Sequence, residues 1–165
     1  MNPLHSTPSR IEGDLIYSGG RFALVASRFN GFLVEQLLQG ATEALRLHGC
    51  PEEAMDIIRV PGAFELPVTI KAVMETRQPR AVVALGVVIR GATAHFEHIA
   101  NSCTSGLQQL ALAHGIPVGF GVITAETLDQ AIERSGTKAG NKGAEAALAA
   151  LETANLIAAL QQSGQ

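Results

Sequence analysis

The sequence predicts an α/β fold, a flavodoxin-like three-layer sandwich whose parallel sheet of about four strands carries helices on both faces. Short apolar segments alternate along the chain with longer segments of helical periodicity, which is typical of parallel strands joined by right-handed crossovers. Segment 80–87 is continuously apolar after Arg80, as expected for a strand that is buried on both faces. About four strands are too few for a (β/α)₈ barrel.

Each predicted strand is a short apolar segment that polar residues end. Strands are predicted at 22–26, 55–60, 80–87 and 118–123, with a further edge piece near 15–17. Helices are predicted where apolar residues recur at helical spacing: from about 31 to 48, at 64–76, at 95–114, in a short segment after 124, and at 143–160. Asn30 is expected to cap the first helix and Thr124 or Thr127 the short one, while Pro67 lies in a first turn, where a missing N–H costs little. Segment 134–142 is predicted to be a Gly-rich polar loop.

The composition is that of a globular domain. The chain has 165 residues, of which 47% are hydrophobic and 16% are charged, so we expect a sizeable core rather than disorder. We expect a loose N-terminal arm at 1–13 and one domain at 14–165. A net charge of −3 without a basic stripe argues against nucleic acid as a partner, and we find no segment long enough to span a membrane. The low charge predicts that some surface is buried against further copies of the chain.

The thiols and the N-terminus favour a cytoplasmic location. Cys50 and Cys103 lie far apart and match neither a disulfide nor a zinc framework, so they are interpreted as thiols in a reducing compartment. Residues 1–10 lack the apolar region of a secretory signal. Three histidines have no chemical context and are interpreted as surface or packing residues: His5, His48 and His114.

The run GVVIRGATAHFEH at 86–98 carries the strongest signal of chemistry. It ends an apolar strand, crosses a loop of small residues and begins a helix at His95. Ligands of open α/β sheets bind beyond the carboxyl ends of the strands, and histidine exchanges protons near neutral pH, so His95 is a candidate acid/base. His95 and His98 are one helical turn apart, but no third credible ligand accompanies them, so no metal site is predicted.

Two further strand ends carry candidate ligand contacts. Phe29 follows the first strand, where it is either a core aromatic or a stacking platform for a flat heterocycle. Segment VPGAFELP at 60–67 ends the second strand and makes a rigid turn into a helix, whose free N–H groups can bind an imide-like ligand. Glu65 either accepts from N–H donors of that ligand or interacts with the helix dipole.

Positive side chains in and beside segment 134–143 indicate an anion site. Arg134, Lys138 and Lys142 accompany three glycines there; arginine makes forked contacts to phosphate, and glycine leaves backbone N–H groups accessible. The alternative is a solvated loop. Arg90 either makes a second set of phosphate contacts together with 91–93 or forms a structural ion pair, and the sequence leaves both open.

Five segments together resemble the 6,7-dimethyl-8-ribityllumazine synthase family, in family order over residues from about 15 to 160. They are ASRFN at 26–30, VPGAFELP at 60–67, GVVIRGATAHF at 86–96, FGVIT at 120–124 and IERSGTKAGNKG at 132–143. The resemblance implies condensation of 5-amino-6-(D-ribitylamino)uracil with 3,4-dihydroxy-2-butanone 4-phosphate. The amine forms an imine with the ketone, phosphate is eliminated, and the ring closes with loss of water.

The resemblance also implies roles for single residues. His95 would transfer protons. The pyrimidine would be bound by Phe29, Ala63, Phe64, Glu65, Val87, Val88, Ile89 and Phe120, the last from the side of a neighbouring subunit. The butanone phosphate would be bound by Ala92, Thr93 and Arg134, and supporting positions are Asn30, Lys142 and Glu145. Ala63 stands where many relatives carry a hydroxyl residue, so we expect it to tune affinity through its remaining backbone N–H.

The implied chemistry needs no metal, nucleotide or redox cofactor. In keeping with this, the sequence lacks the G-x-G-x-x-G, Walker A and complete zinc deaminase signatures. The implied partners are small-molecule substrates and further copies of the chain, as a homo-pentamer, a decamer or an icosahedral shell, with riboflavin synthase as a candidate protein partner. The rival interpretations are a non-catalytic flavin- or lumazine-binding protein, a shell-forming protein with incidental catalysis, and a metal-dependent hydrolase that uses His95 and His98.

Overall fold

A computed structural model describes residues 7–164 and confirms the predicted α/β sandwich. The parallel sheet has the order β2-β1-β3-β4 and consists of β1 (Phe22–Ser27), β2 (Met55–Val60), β3 (Ala81–Ile89) and β4 (Val118–Ala125). The helices are α1 (Gly31–Leu47), α2 (Leu66–Arg77), α3 (His95–His114), α4 (Leu128–Arg134) and α5 (Lys142–Ser163). Short 3-10 turns cover Glu52–Ala54 and Ala63–Glu65. His5 lies outside the described residues.

A separate hydrophobic core lies on each face of the sheet. α1, α4 and α5 cover one face, and α2 and α3 cover the other. Along β1, Phe22 and Leu24 belong to the first core, whereas Ala23 and Val25 belong to the second. All six residues of β1 are buried and all but Ser27 are apolar, as expected for a central strand of a parallel sheet.

Helices α1 and α5 pack closely enough to need a glycine. A Cβ atom on Gly143 would lie 2.1 Å from the carbonyl oxygen of Leu37 in α1. The Asn141 side chain strengthens the same contact, since its Nδ2 donates to the Gln36 carbonyl at 2.8 Å and its Oδ1 accepts from Ala144 N–H at 3.0 Å. Gly143 therefore serves helix packing, and the anion site in segment 134–143 stays a prediction.

The predicted edge strand at 15–17 is wrong, because this segment is coil. Asn155 of α5 binds it through a side chain: its Nδ2 donates to the carbonyl oxygens of Asp14 at 2.9 Å and Ile16 at 3.0 Å. Tyr17 N–H donates to the His48 carbonyl at 2.9 Å. Segment 14–17 is thus docked on α5 and on the end of α1 rather than added to the sheet.

Segment 134–142 is a hairpin rather than a loop. α4 ends at Arg134, and β5 (Ser135–Thr137) pairs with β6 (Gly140–Asn141) in antiparallel fashion. Gly140 has φ +77°, a left-handed conformation that glycine adopts without strain. The residues that predicted a flexible loop are the turn residues of this hairpin.

The helix starts agree with the sequence in part. Pro67 lies in the first turn of α2, as predicted, and Thr127 caps α4 by accepting from Gln130 N–H at 3.2 Å. Asn30 precedes α1 but does not cap it with its side chain. Its backbone is left-handed, with φ 57°, and its Nδ2 instead donates to the Val87 carbonyl at 3.0 Å. Asn30 therefore ties the β1–α1 turn to the end of β3.

Helix α5 corrects the expectation that no segment is long enough to span a membrane. Its mean hydropathy of 1.2 and its 22 residues satisfy that criterion by length and composition. Part of its apolar surface is used within the fold, however, since Ala147, Leu151 and Ala154 are buried against α1 and the sheet. We interpret α5 as a core helix.

Candidate functional site

A cavity of about 550 Å³ opens beyond the carboxyl ends of β1, β2 and β3. In the sheet, β2 lies on one side of β1 and β3 lies on its other side. The direction in which strands are added therefore reverses at β1. Such a reversal separates the crossovers and leaves a crevice in which α/β sheets bind ligands. Nine predicted site residues line the cavity: Phe29, Ala63, Phe64, Glu65, Val87, Val88, Ile89, Thr93 and His95.

Phe29 forms one wall of the cavity and is not a core aromatic. The pairing of β1 with β2 continues past the strand ends, because Arg28 N–H donates to the Val60 carbonyl at 2.8 Å and Phe29 N–H to the Pro61 carbonyl at 3.0 Å. These bonds hold the turn after β1 against the turn after β2. Phe29 is 72% exposed and Phe64 58%, and both line the cavity with apolar area.

The turn between β2 and α2 is stabilised by Glu65. Its Oε2 accepts from Gly62 N–H at 3.0 Å, while its own N–H donates to the Gly62 carbonyl at 3.2 Å. Glu65 therefore caps this turn and lines the cavity at the same time. The Ala63 side chain is buried in the core below α2, so this residue can meet a ligand chiefly through its main chain.

The connection from β3 to α3 forms the opposite wall. Gly91–Ala94 is exposed, and His95 is the first residue of α3. Among residues 7–164, no side chain caps this helix start; Glu97 lies in its first turn, and the N–H groups of Glu97 and His98 donate to the Ala94 carbonyl at 3.1 and 3.4 Å. The positive end of the helix therefore lies at His95, which lines the cavity. Such a helix start is suited to an anion such as a phosphate.

The structure decides between the two interpretations of Arg90. Its Nε lies 2.6 Å from Glu126 Oε2, and its Nη2 lies 3.2 Å from Glu97 Oε1. The side chain thus makes ion pairs with two carboxylates. The ion-pair interpretation is confirmed, and a direct phosphate contact is disfavoured.

The remaining predicted residues do not line this cavity. Phe120 and Lys142 line a second concave surface of about 590 Å³, beside β4 and between α3 and α5. Lys142 forms an ion pair there with Glu145 at 2.8 Å. Arg134 lies in the last turn of α4, where its Nη1 donates to the Gln130 carbonyl at 3.0 Å. Ala92 is exposed in the β3–α3 loop.

Five further residues complete the cavity: Pro61, Gly62, Gly91, Phe96 and Ile99. The first three lie in segments that the sequence analysis singled out without giving them individual roles, and Phe96 and Ile99 were missed as site residues. Ile99 is four residues after His95 and so lies on the same face of α3, a spacing that the sequence does display. In contrast, no group of three or more His, Cys, Asp or Glu side chains within 7–164 is arranged to hold a metal ion. The hydrolase interpretation therefore lacks a third ligand in the described part of the chain.

Comparison with known proteins gives one consistent result. The sequence profile of a family described as 6,7-dimethyl-8-ribityllumazine synthase matches residues 19–158. A protein of Halorhodospira halophila (strain DSM 244 / SL1) that is named 6,7-dimethyl-8-ribityllumazine synthase is 53% identical over 151 residues, which are 91% of this chain and 97% of that protein. The matched segment includes the four strands of the sheet and all residues that line the cavity.

Proposed function

The chain belongs to the 6,7-dimethyl-8-ribityllumazine synthase family, and we propose that the cavity beyond β1, β2 and β3 is where it carries out that reaction. It is a transferase that condenses 5-amino-6-(D-ribitylamino)uracil with 3,4-dihydroxy-2-butanone 4-phosphate in riboflavin biosynthesis. The observation that supports this site is that residues spread from position 29 to position 99 line one cavity at the reversal of strand order.

The pyrimidine is proposed to lie between Phe29 and the turn after β2. An exposed aromatic ring offers a flat apolar face on which a uracil ring can stack. The 61–65 turn adds main-chain N–H and C=O groups, which match the alternating donors and acceptors of a uracil edge. The Glu65 carboxylate can accept hydrogen bonds from N–H donors of the ligand, although its Oε2 already accepts from Gly62 N–H.

The butanone phosphate is proposed to lie at the start of α3. The uncapped helix start and the Ala92–Thr93 loop offer N–H groups for the phosphate, beside His95. His95 moves protons during imine formation, phosphate elimination and ring closure, which contributes about 10²–10⁴-fold to the rate. Holding the two substrates together lowers the barrier further, by up to several kcal/mol.

The cavity is proposed to be completed by a second copy of the chain. Phe120 and Lys142 line a different surface from His95, and Arg134 lies away from the cavity, so one chain does not assemble all the predicted contacts. A contact between two different surfaces is heterologous and closes into a ring when the rotation allows it. We propose a homo-pentameric ring, which the exposed side chains Phe120, Leu112 and Leu160 also favour.

The first test is turnover by the purified protein. Both substrates are mixed with the wild type, with His95→Ala and with His98→Ala, and lumazine absorbance is followed against the uncatalysed reaction. We expect acceleration that His95→Ala reduces by about 10²–10⁴-fold. His98, one turn further along α3 and outside the cavity lining, is the matched control and should retain the wild-type rate. No acceleration despite pyrimidine binding would contradict the proposal and indicate a binding protein.

The second test concerns the shared site. His95→Ala and Phe120→Ala chains are co-expressed, so that some interfaces combine an intact cavity with an intact Phe120. Random mixing makes about a quarter of the interfaces fully intact. The co-expressed protein should therefore have up to about a quarter of the wild-type activity, which is more than either variant has alone. A strict absence of complementation, with mixed oligomers verified by native mass spectrometry, would place the whole site in one chain.

A further inference from the structure

Arg90 is held from three sides by residues of two different chain segments. Besides its ion pairs with Glu126 and Glu97, its Cζ lies 4.8 Å from the centre of the Phe96 ring. That distance is within the range of a cation–π contact. Glu126 follows β4, whereas Phe96 and Glu97 lie in the first turn of α3. The guanidinium therefore joins the end of β4 to the start of α3.

The loop that this contact spans has few other restraints. Gly91–Ala94 is exposed, and the start of α3 lacks a side-chain cap within the described residues. Arg90 N–H donates to the Ala125 carbonyl at 2.8 Å, which anchors the near end of the loop to β4. The Arg90 side chain then holds the far end, where His95 and Phe96 both line the cavity.

We propose that Arg90 is a positioning residue for the condensation, which holds the first turn of α3 against the end of β4 and thereby sets where His95 stands in the cavity. This inference rests on the proposed function. Two carboxylates already neutralise the guanidinium, so Arg90 acts through the groups that it holds rather than as a ligand of the phosphate.

The geometry needs arginine rather than a positive charge alone. A planar guanidinium can pair with Glu126 and Glu97 while it lies over the Phe96 ring, whereas a lysine ammonium cannot make these contacts together. Exposed ion pairs contribute little to folding stability, so the fold should survive replacement of Arg90 by lysine. A small displacement of a reacting group can nevertheless slow a reaction by up to about 100-fold.

The test measures kcat and both KM values for Arg90→Lys and Glu126→Gln. Each variant should lower kcat about tenfold and leave the KM of the butanone phosphate within about twofold, because the group that moves is His95. In a His95→Ala background, Arg90→Lys should lower kcat by less than about twofold, since the group being positioned is gone. Loss of folding stability alone would not produce this non-additivity.

A matched control comes from α1. In that helix, Arg46 makes a similar exposed, forked ion pair with Glu43, whose Oε1 lies 2.7 Å from Arg46 Nη2. Neither residue lines the cavity. Arg46→Lys should leave kcat within about twofold of the wild type, since it changes an exposed pair of the same kind. Melting temperatures of all variants accompany the kinetics.

Three results would overturn the inference. They are an unchanged kcat in both Arg90→Lys and Glu126→Gln, an equal loss of kcat with and without His95, and a raised KM of the butanone phosphate at unchanged kcat, which would make Arg90 a phosphate ligand. If the wild type and His95→Ala behave as proposed while these variants do not, the inference alone falls. If the wild type shows no acceleration over the uncatalysed reaction, the proposed function falls with it.

Discussion

Asn155→Ala should release segment 14–17 and destabilise the protein. The Nδ2 atom of Asn155 donates to the carbonyl oxygens of Asp14 and Ile16, and its Oδ1 accepts from Arg80 Nη2 at 2.6 Å. The residue is 9% exposed, so these bonds lie in a site that water reaches poorly. The two N–H groups of Nδ2 are shared among these two carbonyl oxygens and Asp14 Oδ1, also at 2.9 Å. An alanine there removes all of these bonds and leaves their partners to find others.

The expected loss follows from these bonds. The two bonds to carbonyl groups contribute about 1 kcal/mol each, and the bond from the arginine about 1.5–3 kcal/mol. Arg80 Nη1 also donates to Ser18 Oγ at 2.7 Å and to the Gly19 carbonyl at 2.9 Å, so the guanidinium keeps part of its pairing and the lower value applies. The total is about 3.5 kcal/mol, which lowers the melting temperature by about 7–14 °C for a chain of this length.

The assay combines thermal unfolding at fixed protomer concentration with amide hydrogen exchange. Exchange should rise at Tyr17 N–H, whose acceptor is the His48 carbonyl, before it rises in the sheet. Gln161→Ala, an exposed change near the end of the same helix, is the control. A melting temperature within about 2 °C of this control, or amides of segment 14–17 as protected as in the wild type, would refute the reasoning.

Three further predictions test other parts of the fold. Phe29→Ala should raise the Kd of the pyrimidine about 3- to 10-fold, since stacking contributes about 0.5–1.5 kcal/mol; calorimetry measures this, and an unchanged Kd would contradict it. Gly143→Ala should cost about 1–3 kcal/mol in urea unfolding, because its Cβ would lie 2.1 Å from the Leu37 carbonyl oxygen; an unchanged midpoint would show that α1 and α5 separate freely. Burial raises the pKa of the Cys103 thiol from 9.0 to about 11, so the folded state holds this proton more tightly than the unfolded state. The resulting stability is complete below about pH 9 and is lost as the pH rises to about 11; urea midpoints at about pH 8 and pH 10.5 should therefore fall more in the wild type than in Cys103→Ala, and equal falls would refute this.

Elements whose signals are local were predictable from the sequence. Helix α3 spans the predicted 95–114, because small residues precede it, helical spacing runs through it, and Gly115 ends it in a left-handed conformation. The continuous apolar run of β3 predicted a strand buried on both faces. Pro67 marked the first turn of α2 for the same local reason, since its missing N–H needs no partner there.

Side chains whose partners lie far away in the sequence were not predictable. Asn30 looked like a helix cap, but it donates to the Val87 carbonyl, 57 residues later. Segment 15–17 looked like an edge strand, but Asn155 satisfies its carbonyl groups from the opposite end of the chain. In both cases a polar group takes the partner that packing brings near, and propensity does not contain that information.

The sequence by itself determined the fold class, the three strand ends that line the cavity, and His95 at the start of a helix, because periodicity and helix boundaries are local properties. The tertiary structure decided how these residues are distributed. The order β2-β1-β3-β4 brings the ends of β1, β2 and β3 together around the cavity, while Phe120 and Lys142 line another surface. It also placed Arg90, which follows β3, in an ion pair with Glu126, which follows β4. Strand order and side-chain pairing arise when distant segments pack against each other, so they exist only once the chain has folded.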